Sequence, residues 1–208
     1  MGTRSTPKTV RLVPLLSLPL DTQMKLRDVR NEEGVRRWMY TDHVIESGEH
    51  MTWMERLKTD TSQLVFAVLD EDGKALGVAS THSMDLHQRR ADWAYYLTKS
   101  VRGGLGAALE YAFIDFVMNS LGIEKLNCEV IQGNDAVMKL HRKFLFEEEG
   151  LRRSNILKNG SRTGVHMLGL TKEQWLAGRE IVYDRYRSIL DRFTVSIEFS
   201  GSMKVGAS

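Results

Sequence analysis

A glycine-rich turn between two apolar segments is the part of this sequence best suited to bind a charged ligand. Residues 97–107 read Leu-Thr-Lys-Ser-Val-Arg-Gly-Gly-Leu-Gly-Ala, and apolar residues recur at helical spacing from Leu105 to Val117. The first N–H groups of a helix lack partners within the helix, and the helix dipole adds positive charge there. The turn therefore predicts a phosphate or pyrophosphate site, with Lys99 and Arg102 placed to neutralise the ligand. A glycine turn that binds nothing is the alternative.

A second pattern follows the next predicted strand. Residues 134–146 read Asn-Asp-Ala-Val-Met-Lys-Leu-His-Arg-Lys-Phe-Leu-Phe. This segment resembles the Asn-x-x-Ala-x-x-Leu-Tyr-x-Lys-x-Gly-Phe signature of the Gcn5-related N-acetyltransferase (GNAT) superfamily, with Val137, His141 and Leu145 at the alanine, tyrosine and glycine positions. The run from Arg102 to Gly106 resembles the pyrophosphate loop of the same superfamily, shortened by one residue.

The GNAT resemblance covers approximately residues 10–170. It implies an α/β (α+β) fold with a mixed, mostly antiparallel central sheet flanked by helices, in which a splayed strand pair holds acetyl-CoA. It also implies which residues contact acetyl-CoA. These residues are Leu97, Lys99, Arg102, Gly103, Gly104, Leu105, Gly106, Ala107, Asn134 and Lys143.

The chemistry of acetyl transfer assigns roles to two further residues. Attack on a thioester requires the neutral amine, so a general base is expected, acting directly or through one water. Glu129 matches the cleft-facing glutamate of the resemblance and is interpreted as that base; a salt bridge at a sheet edge is the alternative. His141 stands where the family has a tyrosine acid, and is interpreted as a proton donor to the departing thiolate or as a packing residue. A backbone N–H near Leu97 would stabilise the oxyanion.

The single cysteine, Cys128, is not expected to act as a nucleophile. It adjoins Glu129 on a predicted strand, where neighbours point to opposite faces, so the two side chains are not expected to line one cleft. A buried free cysteine usually packs as a small hydrophobe. The six histidines show no spacing typical of metal ligands, so no metal site is predicted.

The N-terminal third narrows the resemblance to one branch of the superfamily. The runs Val29-Arg30-Asn31 and Trp38-Met39-Tyr40, with His50 and Trp53, resemble the enzymes of pseudaminic acid biosynthesis, whose product decorates flagellin. Those enzymes acetylate the 4-amino group of UDP-4-amino-4,6-dideoxy-N-acetyl-β-L-altrosamine. The residues predicted to contact such a nucleotide sugar are Arg30, Met39, Tyr40, His50, Trp53, Thr81, His82 and Tyr96.

The periodicity of the chain predicts an ordered series of elements. Residues 1–170 are predicted to form the acetyltransferase domain, 171–195 an amphipathic helix that packs on it or serves a homodimer contact, and 196–208 a flexible tail. Predicted strands cover residues 10–16, 63–69, 75–83, 92–98, 125–131, 147–157 and 164–170, and predicted helices cover residues 22–29, 49–58, 105–117, 136–144 and 172–190.

Composition excludes several classes of protein. The chain has 208 residues with a formal net charge of +2, which argues against a nucleic-acid-binding surface. Apolar stretches are interrupted before the roughly 20 residues of a membrane span. The apolar run 12–20 contains Pro14 and Pro19 and is interpreted as a bent strand rather than a signal peptide. One cysteine excludes an internal disulfide and favours the cytoplasm.

These observations predict an acetyl-CoA-dependent N-acetyltransferase that acts on a UDP-linked amino sugar by direct attack. One alternative is the same fold acting on a protein N-terminus, which would need an open groove with strand edges, or on a polyamine, which would need an acidic channel. A second alternative is a non-catalytic module that binds acyl-CoA. Residues 30–53 show neither an acidic cluster nor an evident groove.

Overall fold

The computed structural model describes residues 6–101 and 103–199. The strands are β1 (Lys8–Pro14), β2 (Leu64–Asp70), β3 (Ala75–Asp85), β4 (Arg90–Leu97), β5 (Lys125–Ile131), β6 (Glu147–Lys158), β7 (Ser161–Thr171) and β8 (Phe193–Ile197). The helices are α1 (Leu20–Asn31), α2 (Glu33–Arg36), α3 (Ser47–Leu57), α4 (Leu105–Asn119), α5 (Asp135–Lys143) and α6 (Lys172–Leu190). In that part of the chain no helix combines the length and apolar character needed to cross a membrane.

All eight described strands form one sheet in the order β6-β7-β5-β4-β3-β2-β1-β8. Strands β1 to β4 make an antiparallel meander, and β7 pairs antiparallel with both β5 and β6. The pairs β4–β5 and β1–β8 are parallel. The predicted mixed, mostly antiparallel sheet flanked by helices is thus confirmed.

Strand β2 shows why the sheet is covered on both faces. Its burial is nearly continuous, which is typical of a central strand with packing on each side. Phe66 and Val68 face the larger core, which the sheet shares with α4, α5 and α6. Val65 and Ala67 face a smaller core, which includes Leu26 and other residues of α1 and α3.

The parallel strands β4 and β5 separate after a short stretch of pairing. Their ladder runs from Arg90 to Asp92 on β4 and from Lys125 to Asn127 on β5. Beyond these residues the described strands enclose a cavity instead of pairing. This is the splayed strand pair that the resemblance implies.

The C-terminal region differs from the prediction. Helix α6 has the predicted bounds and begins at a capping box formed by Thr171 and Gln174. It packs on α4, where the indole N–H of Trp175 donates to Asp115 at 3.1 Å. The predicted helix range 171–195 and tail from 196 are corrected, because residues 193–197 form β8 beside β1. Residues 200–208 lie outside the described residues.

The pairing of β8 has a simple physical basis. Its apolar side chains alternate with polar ones, which is the pattern of a half-buried strand. Phe193, Val195 and Ile197 pack against the larger core, whereas Thr194 and Ser196 are exposed. This alternation is the signal by which the strand could have been predicted.

Candidate active site

A cavity of about 220 Å³ lies between the separated ends of β4 and β5. Helix α5 forms a further wall, and α2 with the residues after it closes the cavity from the N-terminal side. The lining residues are Gly34, Val35, Trp38, Met39, Trp93, Ala94, Tyr95, Tyr96, Leu97, Cys128, Glu129, Val130, Ile131, Asn134, Val137 and His141. We call this space the central cavity.

His141 lines the central cavity from α5 and pairs with a carboxylate behind it. Its Nδ1–H donates to Oε1 of Glu110 at 2.7 Å, and the two side chains are 6% and 0% exposed. Burial lowers the pKa of His141, but the Glu110 carboxylate and a hydrogen bond with Cys128 outweigh burial and raise it to about 10. Burial raises the pKa of Glu110, an effect that the imidazolium opposes. The pair therefore keeps, at neutral pH, a proton that an ordinary histidine has largely lost.

Aromatic rings fix the orientation of the His141 imidazole. The ring centroid of Trp93 lies 5.6 Å away, that of Tyr95 6.4 Å and that of Phe146 5.4 Å. Such packing leaves little rotational freedom, so the imidazole presents one fixed edge to the cavity.

Cys128 lines the same cavity beside His141. Both Cys128 and its strand neighbour Glu129 reach the cavity, so the prediction that they cannot share one cleft is corrected. The reason is that the cavity lies in the gap where β5 has left the ladder, and is therefore reached from both faces of the strand. Burial raises the pKa of the Cys128 thiol, against the opposing effect of His141. This shift disfavours the thiolate and agrees with the expectation that Cys128 is not a nucleophile.

Glu129 is held by two side chains at the edge of the central cavity. Arg152 donates from Nη1 to Oε1 at 2.6 Å, and the Tyr40 hydroxyl donates to Oε2. Burial, together with this bond to Glu129, raises the pKa of the Tyr40 hydroxyl, so Tyr40 remains a donor. The salt bridge foreseen as the alternative for Glu129 is present, and the carboxylate also lines the cavity.

The wall contributed by α2 is fastened to the β6–β7 hairpin. Lys158, at the end of β6, donates from Nζ to the Met39 carbonyl at 2.6 Å and to the Arg36 carbonyl at 3.5 Å. The next residue, Asn159, donates its backbone N–H to Asp42 at 3.3 Å. These contacts place Trp38 and Met39 across the cavity from β4 and β5.

The glycine turn leads directly into α4, as predicted. Gly103 and Gly104 have φ angles of +84° and +94°, a conformation that favours glycine. Two of the glycines also lie close to side chains of neighbouring elements. A Cβ on Gly104 would lie 2.4 Å from Cγ2 of Ile189, and a Cβ on Gly106 would lie 3.3 Å from the Tyr95 hydroxyl. These glycines therefore make room for α6 and β4.

The backbone at the start of α4 is suited to bind an anionic group. In the described chain, Gly104 forms no side-chain cap and the first turn of α4 holds no acidic residue, so the positive end of the helix dipole is not neutralised there. Leu105 is buried, so any contact from it to a phosphate is made by its N–H group. The Ala107 N–H already donates to the Gly104 carbonyl at 3.0 Å. The predicted contact Arg102 lies outside the described residues.

The other predicted cofactor contacts fall into two groups. Leu97 and Asn134 line the central cavity. Lys99 and Lys143 lie farther out: the backbone N–H of Lys99 donates to Glu32 at 3.0 Å, and Nζ of Lys143 lies 5.8 Å above the Tyr186 ring. The first group could face the thioester end of acetyl-CoA and the second its phosphates.

The fold brings only some of the residues predicted to contact the acceptor to the central cavity. Met39 and Tyr96 line the central cavity, and Tyr40 reaches it through Glu129. Arg30 lies nearby, where burial lowers its pKa; its Nη2–H donates to the Thr41 carbonyl at 3.4 Å. Its Nη1 is buried without a partner among the described residues, which leaves hydrogen-bonding capacity.

Four predicted acceptor contacts lie elsewhere, and none of them lines the cavity in the described structure. His50 is buried, and its Nε2–H donates to the Gln23 carbonyl at 3.1 Å, which joins α3 to α1. Trp53 packs on the smaller core, 5.3 Å from the His50 ring. Thr81 is fully buried and donates to Sδ of Met84, and His82 lies opposite Asp92 in the β3–β4 ladder. These four residues occupy packing and sheet positions in the described structure.

The sequence analysis missed Glu110 as a site residue, although a signal was present. On α4 it lies on the apolar stripe with Phe113, Ile114 and Val117, at spacings of three, four and seven residues. A carboxylate in such a stripe is rarely buried without a partner. Arg152 and Lys158 were also missed, because only their tertiary contacts distinguish them from the other basic residues of this region.

The fold and the cavity together define a class of transferase. A glycine turn leads from a splayed strand into a helix, and a carboxylate and a histidine line the gap between the splayed strands. This arrangement suits transfer of an acyl group from a carrier with an anionic, phosphorylated end.

Comparisons with known proteins specify the family. The chain belongs to the GNAT acetyltransferases, because the family described as "Acetyltransferase (GNAT) domain" matches residues 12–147. The Bacillus subtilis protein named "Putative ribosomal N-acetyltransferase YdaF" is 24% identical over 159 residues, which cover 71% of this chain and 83% of that protein. The protein is accordingly an acyltransferase, and its acetyl donor is acetyl-CoA, as predicted.

Solved structures confirm the fold. The spermidine N-acetyltransferase from Vibrio cholerae in complex with CoA and spermine matches with a TM-score of 0.73 at 18% identity, over 80% of this chain and 98% of that chain. A GCN5-related N-acetyltransferase from Brucella melitensis matches with a TM-score of 0.69 at 18% identity, over 88% and 90% of the two chains.

Proposed function

We propose that this chain transfers the acetyl group of acetyl-CoA to the primary amine of a peptide or protein N-terminus. Glu129 takes a proton from the amine, and His141 gives a proton to the departing sulfur. Acetyl-CoA supplies the acetyl thioester. The observation that carries this proposal is that Glu129 and His141 line one small cavity at the strand splay.

The charges around the cavity support a peptide amine over a polyamine. Among the described residues that line the cavity, Glu129 is the single acidic residue, and it is already paired with Arg152. Arg36 and Lys158 lie on the wall nearby. A polyamine carries several positive charges and requires an acidic channel, whereas a peptide N-terminus carries one.

The strand β6, which sends a side chain to the rim of the cavity, supports an extended acceptor. Strand β6 is the last strand on its side of the sheet, and its residues are mostly exposed. Arg152 belongs to β6 and contacts Glu129 across β7, so a side chain of this edge strand reaches the rim of the cavity. An extended peptide can pair with such an edge through main-chain hydrogen bonds. The ribosomal N-acetyltransferase name of the Bacillus subtilis relative is consistent with a protein acceptor.

The nucleotide-sugar acceptor has weaker support. Two of its predicted contacts, His50 and Trp53, are committed to packing between α1 and α3. The N-terminal resemblance then rests mainly on Arg30, Met39 and Tyr40. The central cavity, of about 220 Å³, accommodates the reacting groups rather than a UDP moiety, which would have to lie outside it.

The test is release of free CoA thiol from acetyl-CoA in the presence of an acceptor panel. The panel holds peptides with free N-termini, the same peptides with blocked N-termini, spermidine, and a UDP-linked 4-amino sugar. We expect turnover with free peptides and none with blocked ones, with mass spectrometry locating the acetyl group on the α-amine.

Other outcomes would redirect the assignment. Turnover of spermidine alone would establish a polyamine acceptor, which is the activity named for the Vibrio cholerae structure. Turnover of the UDP sugar alone would restore the nucleotide-sugar prediction. No turnover, while acetyl-CoA still raises the melting temperature, would favour a non-catalytic acyl-CoA-binding module.

A further inference from the structure

We propose that Glu110 is a positioning residue that holds His141 as the proton donor to the departing sulfur, an inference that rests on the acetyl transfer proposed above. Glu110 belongs to α4, and the family signature that marks His141 does not include it. The assignment stands on the burial and contact of the two side chains and on the cavity that the imidazole lines.

The contact dictates which imidazole nitrogen is available for chemistry. Nδ1 is engaged by Glu110 at 2.7 Å. The two ring nitrogens point in different directions, so Nε2 is the one left for the cavity and for Cys128. A fixed hydrogen bond at Nδ1 sets both the tautomer and the ring orientation, as a carboxylate does for a catalytic histidine in other enzymes.

The burial of Glu110 is costly, which argues that it serves a purpose. The carboxylate is fully buried, and its Oε2 has no hydrogen-bond partner among the described residues. Desolvation of a carboxylate with one partner destabilises the fold, and such groups concentrate at functional sites. A structural role would be served better by an apolar residue in the stripe of α4.

The groups that face His141 come from every neighbouring element. They are Glu110 from α4, Trp93 and Tyr95 from β4, Cys128 from β5, and Phe146 from the residue before β6. Burial raises the pKa of Tyr95 and of Cys128, so both are neutral near pH 7. Glu110 is therefore the group that supplies negative charge to the imidazole.

The proposed step balances in protons and electrons. The acceptor amine forms the new C–N bond, the C–S bond breaks, and its electron pair leaves with sulfur. His141 transfers the Nε2 proton, so that an S–H bond replaces an N–H bond and the imidazole becomes neutral. Solvent then returns a proton to His141, while Glu129 passes to solvent the proton taken from the amine.

The test compares Glu110→Gln with the wild type, because glutamine has nearly the same shape and can still accept from Nδ1–H. The imidazole pKa is read by NMR titration of nitrogen-labelled histidine, and kcat is measured against pH. We expect the imidazole pKa to fall to its ordinary value of about 6.5 or below. At pH 8 that fall reduces the protonated fraction about 30-fold, and kcat with it, while KM for acetyl-CoA is unchanged.

A second comparison separates positioning from stability. A tyrosine donor does not need the carboxylate. Adding Glu110→Gln to the His141→Tyr variant should therefore lower kcat much less than Glu110→Gln lowers it in the wild type. The proposal would be overturned if Glu110→Gln lowered kcat equally at every pH, or if it left the imidazole pKa unchanged. An acetyl group trapped on Cys128 would also overturn it, since His141 would then serve the thiol.

The NMR titration needs no acceptor. If the wild type acetylates nothing in the panel, the proposed function fails. The shift of the imidazole pKa in Glu110→Gln then still decides whether the carboxylate controls the histidine.

Discussion

Two carboxylates serve the central cavity, and they are held in opposite ways. Glu110 is fully buried behind His141, with side chains 0% and 6% exposed. Glu129 lies at the rim, paired with Arg152, with side chains 38% and 51% exposed. In the buried pair low polarity strengthens the attraction, and water does not compete for the contact between the two partners. At the rim, solvent weakens the pair, so a ligand can replace Arg152 or Tyr40 at Glu129.

The difference separates a permanent contact from an exchangeable one. A proton donor that acts near the thioester must keep its orientation throughout the reaction, which the buried pair ensures. A base that receives a proton from an incoming amine must release its resting partners when the amine binds. The burial of each carboxylate thus matches the step proposed for it.

The largest effect is expected when the rim carboxylate is neutralised. Glu129→Gln removes the proton acceptor but keeps the shape, so kcat with a peptide acceptor should fall about 10²- to 10⁴-fold. KM for acetyl-CoA should stay the same, because the cofactor contacts are untouched. Thiol release at saturating acetyl-CoA measures the loss.

Glu149→Gln is the matched control for this change. Glu149 is also half-exposed and paired, with Lys125, but it lies outside the lining of the central cavity. Its variant should keep full activity. Loss of kcat in both variants would indicate a general effect of charge on this face and would refute the role of Glu129.

Breaking the buried pair should cost more stability than breaking the rim pair. His141→Leu leaves the Glu110 carboxylate without its partner, and the free energy of unfolding should fall by about 3–5 kcal/mol. Arg152→Met, at the rim, should lower it by about 0–1 kcal/mol. Denaturation with urea measures both values, and equal losses would contradict the contrast between the two pairs.

The smallest expected effect is a pH dependence of stability that follows the buried pair. The pKa of His141 is raised from 6.5 to about 10 on folding, so the folded chain binds a proton that the unfolded chain releases. The stability from this pair is complete below about pH 6.5 and is lost as pH rises toward about 10. Melting temperatures across that range should fall more steeply for the wild type than for His141→Leu. Parallel curves would show that other groups, such as Cys128 and Tyr95, cause the decline.

Local pattern was sufficient to predict most elements. The strand 125–131 and the helix 172–190 were predicted at their observed bounds, because alternation and helical spacing were uninterrupted there. The one-turn helix α2 and the strand β8 were missed. Four residues are too short for a periodic signal, and β8 follows a helix in a segment next to a serine- and glycine-rich end.

The resemblance predicted much of the cavity lining, including Met39 and Tyr96 among the acceptor contacts. Glu129, His141, Leu97 and Asn134 were named in advance, and all four line the cavity. His50 and Trp53 were named from resemblance alone and pack between helices instead. A side chain near a motif in sequence can still point to either face of its element, and packing decides which.

The sequence by itself determined the glycine turn, the alternating strands, the acyltransferase signature and the family to which they belong, because these depend on residues close together in the chain. Only the tertiary structure decided which carboxylate meets which partner. Glu110 and His141 are 31 residues apart, and Tyr40 and Glu129 are 89 apart. Their contacts depend on how the helices pack over the sheet, and so does the burial that keeps one pair fixed and leaves the other accessible to solvent.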